Sequence, residues 1–294
     1  MLLTDARYEA PTAETPYVAQ MLMEERLLKE RLEARGFRGV RVAWSNPDFD
    51  WSTARAAVFR STWDYHQRFG EFVSWLKRVE GRIRLINPPG LVRWNLDKRY
   101  LLELRQAGVG IPPTRYLEAG KPVDLRMVIA ETGWPEVILK PAVSAAARHT
   151  YRLKLETLSS REAVIQERLR EEGFLMQPFL SGILSVGEIS LVMIGGRCTH
   201  AVRKMAKPGD FRVQDDHGGT AHAYEPAADE VAFAERAVAA CPERPVYARV
   251  DVVRGDDGAL LLMELELVEP ELFFRLHPPA AERMAERIVE AVGG

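Results

Sequence analysis

The chain reads as an α/β protein with an open α/β lobe at its N-terminus, and three observations predict that class. Over the first ninety or so residues, strand-like and helix-like patterns alternate, as in a sheet wrapped by helices. The short run Ala56 to Arg60 is apolar up to its last residue, which suits a buried parallel strand. Farther on, apolar segments meet over Gly195-Gly196 and over Gly255-Asp256-Asp257-Gly258, the chemistry of tight hairpins. A length of 294 residues allows a large core divided into two or three lobes.

Composition excludes several classes. The formal net charge of −2 provides no general attraction to nucleic acid or to an anionic membrane. No apolar run reaches the length of a membrane span, and no basic segment followed by an apolar core suggests export. Cys198 and Cys241 have no partner at metal spacing and read as small buried residues of a reduced compartment, so a cytoplasmic setting is expected.

In chain order, Met1 to Thr4 predicts a strand. Pro16 to Arg35 predicts a helix with Val18, Met21, Leu22, Leu28 and Leu32 near one face, stopped by Gly36. Strands follow at Val40 to Trp44 and Ala56 to Arg60. Ligands of open α/β sheets sit beyond the carboxyl ends of the strands, where this chain places Arg60-Ser61-Thr62-Trp63-Asp64-Tyr65. Arg60 there can hold a substrate carboxylate, with Trp63 or Tyr65 as a pocket wall, or it can pair with a nearby acid in an ordinary loop. Pro88-Pro89-Gly90 closes the lobe, and Asn95 is a plausible cap for a helix carrying Lys98 in its first turn. A cation there is disfavoured by the helix dipole unless an anion is also present; a surface lysine is the plainer account.

Val137 to Pro141 predicts a strand ending in Lys140. The small residues Ala142 to Ala147 after it would let a loop approach phosphates, although no P-loop signature is present. A helix from Ser160 to Arg170 precedes the strand Phe174 to Leu180, broken by Pro178; the break exposes main chain to an adenine edge or marks a bend at a sheet edge. Ile189 to Ile194 and Arg197 to Arg203 form a hairpin. The polar loop Lys204 to Gly219 then reads as either a flexible surface loop or a lid over a polyphosphate. Helices are expected at Ala227 to Ala240 and Pro278 to Val292. Between them, a hairpin places Asp251 near Glu264 and Glu266, which share a strand face. These three carboxylates either meet water or hold Mg²⁺, with a one-residue register slip enough to separate them.

The order of these motifs resembles an ATP-grasp ligase of the glutathione synthetase branch: Lys98, Lys140-Pro141, Gln177-Pro178, Gly187-Glu188, the Arg212 to Gly219 loop, Asp251 and Glu264-x-Glu266. More narrowly, Arg60-Ser-Thr-Trp-Asp-Tyr65, Trp94-Asn-Leu-Asp-Lys98, His200-Ala-Val-Arg-Lys204, Gly209-Asp-Phe-Arg-Val-Gln214 and Glu264-Leu-Glu-Leu267 with Glu269-Pro270 look like the O-ureido-serine cyclo-ligases of cycloserine biosynthesis. The resemblance implies an ATP-grasp fold: a substrate-side α/β lobe over residues 1–89, then lobes over 90–180 and 181–294 that sandwich ATP. It places Lys98 and Lys140 on the phosphates, Met176, Gln177 and Phe179 at the adenine, Glu188 on the ribose, and Gly218 and Gly219 in the phosphate cover. Arg212 and Lys204 take catalytic positions, Arg60, Trp63 and Asp64 face the substrate, and Asp251, Glu264 and Glu266 hold Mg²⁺, expected as two ions. Two departures stand out: Glu266 where most members have Asn, and Ala145-Ala146-Ala147 where a glycine is expected.

The implied reaction joins a small-molecule carboxylate and an amine through an acyl phosphate, within one molecule if the chain is a cyclo-ligase. A phosphotransferase and a nucleotide-binding protein without catalysis are the alternatives, the latter motivated by the alanines and Glu266. A homo-oligomer is left open.

Overall fold

The computed structural model describes residues 1–11, 15–214 and 217–293. Its first sheet is parallel, in the order β2-β1-β3-β4, from β1 (Leu2–Thr4), β2 (Arg41–Ala43), β3 (Ala56–Ser61) and β4 (Arg84–Ile86). Every residue of β3 is buried, as its apolar run predicts. Helix α1 (Pro16–Glu33) starts at Thr15, whose hydroxyl accepts from the Val18 N–H at 3.3 Å, and ends short of Gly36, which adopts φ +81°. Its buried face includes Val18, Met21, Leu28 and Leu32, while Leu22 is only half-buried. Glu24 and Glu25 are buried there as well. Glu24 pairs with Arg60, and Glu25 with Arg41 at 2.7 Å, so each buried carboxylate has a cation. Helix α2 (Phe69–Val79) covers the sheet through Phe72, Trp75 and Leu76.

Helices α3 (Pro89–Asn95) and α4 (Tyr100–Gln106) follow. The second sheet is antiparallel, in the order β5-β8-β6-β7, from β5 (Arg115–Leu117), β6 (Val137–Pro141), β7 (Tyr151–Leu153) and β8 (Phe174–Pro178). It shares a core with α5 (Leu125–Thr132) and α6 (Glu162–Glu171). Pro178 ends an interior strand rather than bending a sheet edge. The short α7 (Gly182–Ser185) leads into the third sheet, β11-β10-β9-β12-β13, built from β9 (Glu188–Ile194), β10 (Arg197–Met205), β11 (Thr220–Tyr224), β12 (Tyr247–Arg254) and β13 (Leu260–Glu266).

The third sheet is covered on both sides, which accounts for the wholly buried β9. On one face Leu191 and Val250 pack with Phe233 of α8 (Ala228–Ala239) and with Leu91, Leu101 and Leu104 of α3 and α4. Residues 90–106, expected with the central lobe, therefore share the core of the third sheet. On the other face Val192, Ile194 and Val202 meet Leu2, Leu28 and Ile86 of the first lobe and Met284 of α9 (Pro279–Gly293). Asn87 pins this junction: its side chain donates to Tyr247 O at 2.9 Å and Leu267 O at 2.8 Å, and accepts from the Val246 N–H at 2.6 Å. Among the described residues, no helix is long and apolar enough to cross a membrane. Cys198 and Cys241 are free and half-buried, and burial pushes their thiols up to about 11 and about 12.

Candidate active site

The β12–β13 hairpin turns at Gly255 to Ala259, with the Gly255 N–H donating to Ala259 O at 2.8 Å and Gly258 at φ +80°. Its register sets Asp251 opposite Glu264 and Arg249 opposite Glu266, with an irregularity just after Asp251. Residues directly opposite share a face, as do residues two apart, so all four side chains project together. Asp251, Glu264 and Glu266 each bring a carboxylate oxygen within 4.8 Å of the others. That trio is a hard-oxygen donor set suited to Mg²⁺.

The face looks into a cavity of about 490 Å³ between the lobes, a volume in the range of ligand pockets. Lys98 enters from the turn between α3 and α4; its ammonium pairs with Glu264 and donates to Ser144 O at 2.9 Å. Lys140 enters from β6 and reaches Met263 O at 3.3 Å. Lys204 on β10 lies between Glu188 at 2.5 Å and Asp251 at 3.1 Å. Arg249 donates to both oxygens of Asp251 and pairs with Glu266. Arg212 lines the cavity with Asp210 at 2.7 Å from its guanidinium.

This exchange of charges sets the ionisation. Burial opposes the charge on Lys98, and Glu264 more than offsets it, so its pKa stands above the usual lysine value. Lys140, without so close a carboxylate, is pushed by burial down to about 8. Burial also works against Asp251, yet Arg249 and Lys204 hold its carboxyl well below the usual range. For Glu266 burial wins over the pull of Arg249, with Glu264 and Asp251 adding to the push, and the carboxyl rises to about 7. Glu188 is also raised by burial against the pull of Lys204.

The first lobe supplies an aromatic wall. Trp63 packs against Tyr8 and Tyr17, with centroids 5.5 and 5.4 Å away, and donates from its indole to Glu269 O at 3.3 Å. Trp63 thus faces the cavity, but its expected companions do not. Arg60 is buried and pairs with Glu24, which also accepts from the Leu272 N–H at 2.9 Å; it borders a small neighbouring cavity with Tyr17 and Trp63 rather than this one, and its Nε and Nη1 make no hydrogen bond among the described residues. Asp64 turns away from the cavity, accepting the Trp44 indole N–H at 2.6 Å and pairing with Arg68 at 3.3 Å.

The adenine expectation also changes in detail. Successive side chains alternate faces, so Met176 packs into the central core, while Gln177 shares the face of Ile138 and gives its amide to Thr114 at 2.9 Å. Phe179 lies under the Arg152 guanidinium, 3.7 Å from its ring centre, and edge-on to Phe211. None of the three side chains lines the cavity. Gly218 and Gly219 do not line it either; they shape the loop. A Cβ at Gly219 would stand 2.1 Å from Val213 O, and Gly218 adopts φ +81°. The loop's cavity face consists of Phe211 to Gln214, and His217 donates to Ala146 O at 3.2 Å. Asp215 and Asp216 lie outside the described residues. Asn95 caps no helix. It ends α3 and binds the main chain of β13, donating to Leu265 O at 2.7 Å and accepting from Leu267 N at 2.9 Å.

Ala146 and Ala147 line the cavity at φ +50° and +53°, a left-handed conformation that disfavours a side chain by about 1–2 kcal/mol per residue. Ala147→Gly is therefore expected to raise stability by about 0.5–1 kcal/mol, where glycine ordinarily lowers it. A thermal melt of the variant checks this.

Among the residues lining the cavity, Arg249 received no reading from the sequence, and Glu269 entered only within a motif, with no role of its own. Arg249 sits two residues before Asp251 on the same strand face, so the alternation that grouped the glutamates also pointed to it. Glu269, pushed by burial up to about 8, follows the end of β13, where no strand period applies.

Comparisons with known proteins show the family and the fold. A family model described as D-cycloserine synthetase DcsG, N-terminal domain, matches residues 1–87. The cycloserine biosynthesis protein DcsG of Streptomyces lavendulae is 32% identical over 268 residues, covering 84% of this chain and 86% of that protein. A crystal structure of D-cycloserine synthetase DcsG superposes with a TM-score of 0.83 at 28% identity, covering 99% of this chain and 98% of the other. The ATP-grasp ligase PsnB, solved with a precursor variant, Mg and ADP, shares the fold at a TM-score of 0.64 and 18% identity, with 99% and 98% covered. The chain belongs to the ATP-grasp ligases, in the family of D-cycloserine synthetase DcsG.

Proposed function

We propose that this protein is an ATP- and Mg²⁺-dependent carboxylate–amine ligase that closes a ring on a small amino acid derivative. The observation that carries the reading is the one cavity on which Lys98, Lys140, Lys204 and Arg212 converge with Glu264 and Glu266, with Asp251 buried within carboxylate reach of both glutamates. The residues fit the cofactors: oxygen donors for Mg²⁺ and buried ammonium groups for a polyphosphate. In this reading Lys98 and Lys140 hold phosphates, Glu188 the ribose, and the main chain near Gln177 the adenine. Asp251, Glu264 and Glu266 hold Mg²⁺, with two ions proposed. Bound MgATP supplies the phosphoryl group that activates the substrate carboxylate. Arg212 and Lys204 offset charge around that group, the Phe211 to Gln214 segment limits water, and Trp63 orients the acceptor. DcsG bears the name of a cycloserine biosynthesis protein, which supports ring closure as the form of ligation.

Purified protein given ATP, Mg²⁺ and amino acid derivatives with a second nucleophilic nitrogen is expected to release phosphate and yield a product lighter by a water. A joined pair of molecules would replace cyclisation with intermolecular ligation. A stable phosphorylated product would make it a phosphotransferase, and nucleotide binding without turnover on a broad panel would sink the ligase reading.

A pH dependence follows from Lys140. Phosphates favour its ammonium form, which is lost above about 8. Nucleotide affinity is therefore expected to fall as pH rises through 8, by up to about tenfold per unit, with proton uptake on binding. Calorimetry in buffers of different ionisation enthalpy measures both.

A further inference from the structure

The carboxylates proposed for the metal are already engaged by side-chain cations. Arg249 sends Nε to Asp251 Oδ1 at 2.9 Å and Nη2 to Asp251 Oδ2 at 2.9 Å, and the same Nη2 pairs with Glu266. Lys98 pairs with Glu264, and Lys204 reaches Asp251 at 3.1 Å. Asp251, Lys98, Lys204 and Arg249 are all buried, so these interactions are poorly screened. A guanidinium bound to Asp251 and Glu266 competes with a divalent cation for the same oxygens. A divalent ion arriving alone would also sit among like charges, an arrangement that costs free energy in a buried site. A polyphosphate arriving with it supplies the negative charge to which those cations can turn.

We propose that Arg249 is a positioning residue that serves as the exchangeable counter-ion of the metal site. It holds Asp251 and Glu266 together and yields Glu266 when a divalent cation binds with nucleotide, which makes the two ligands bind interdependently. This rests on the ligase reading of the cavity and deepens it. It also gives Glu266 a physical role: an Asn at that position would offer Arg249 no charge to hold.

The test uses Mn²⁺ as the probe on the full chain, with free Mn²⁺ followed by electron paramagnetic resonance, in the absence and presence of ADP. In the unmodified protein, saturating ADP is expected to tighten Mn²⁺ binding by about tenfold or more, and Mn²⁺ to tighten ADP by the same factor. In Arg249→Gln, Mn²⁺ alone is expected to bind about tenfold tighter and the enhancement by ADP to shrink toward unity; Arg249→Lys restores part of it. Mn²⁺ binding that Arg249→Gln leaves unchanged or weakens, with the ADP effect intact, overturns the exchange but not the ligase reading. No ADP-dependent Mn²⁺ binding in the unmodified protein overturns both. Should Arg249→Gln not fold, Lys98→Gln carries the same expectation at Glu264: tighter Mn²⁺ binding without ADP supports the exchange, and unchanged binding overturns it.

Discussion

Glu264→Gln is expected to lower kcat by about a thousandfold, the rate equivalent of several kcal/mol of charge stabilisation at the metal. Glu264 faces Asp251 across the hairpin and pairs with Lys98, so it touches both halves of the site. The amide keeps the shape and can still accept from Lys98, and the fold should survive. Steady-state kinetics with a circular dichroism control measures the effect. A variant that loses only metal affinity, while kcat at saturating Mg²⁺ is unchanged, would remove Glu264 from the chemistry.

Arg60→Met is expected to lower stability by about 3–5 kcal/mol, because Glu24 would be left as a buried charge without its cation. Adding Glu24→Gln should recover much of that loss, since a neutral amide can still accept from the Leu272 N–H that Glu24 now accepts at 2.9 Å. Chemical denaturation of the single and double variants reads this coupling. A single variant as stable as the parent, with a raised KM for the acceptor substrate, would return Arg60 to the binding role that its place near the carboxyl end of β3 suggests.

Arg60 shows where a linear reading loses information. Its position near the carboxyl end of a parallel strand is legible, and so is the general rule that ligands gather beyond such ends. Its partner is Glu24 on α1, whose burial cannot be seen in a helix period that assigns acids to water. Asp64 is the same case, since its partner Trp44 follows β2, which β1 separates from β3 in the sheet. Met176 was lost for a simpler reason: alternation along β8 sends it to the core, but which face was the core depended on α5 and α6.

The hairpin from Asp251 to Glu266 divides the two kinds of information most clearly. By itself the sequence determined the turn, the strand period and the shared face of Glu264 and Glu266, because these depend on local backbone geometry. Only the tertiary structure decided that Asp251 stands opposite Glu264, since register depends on the sheet formed with β9 as well as on the turn. It also decided that Arg249 and the lysines from other segments meet that face in a cavity rather than in open solvent. Charges distant along the chain neutralise one another only once packing has removed the water between them.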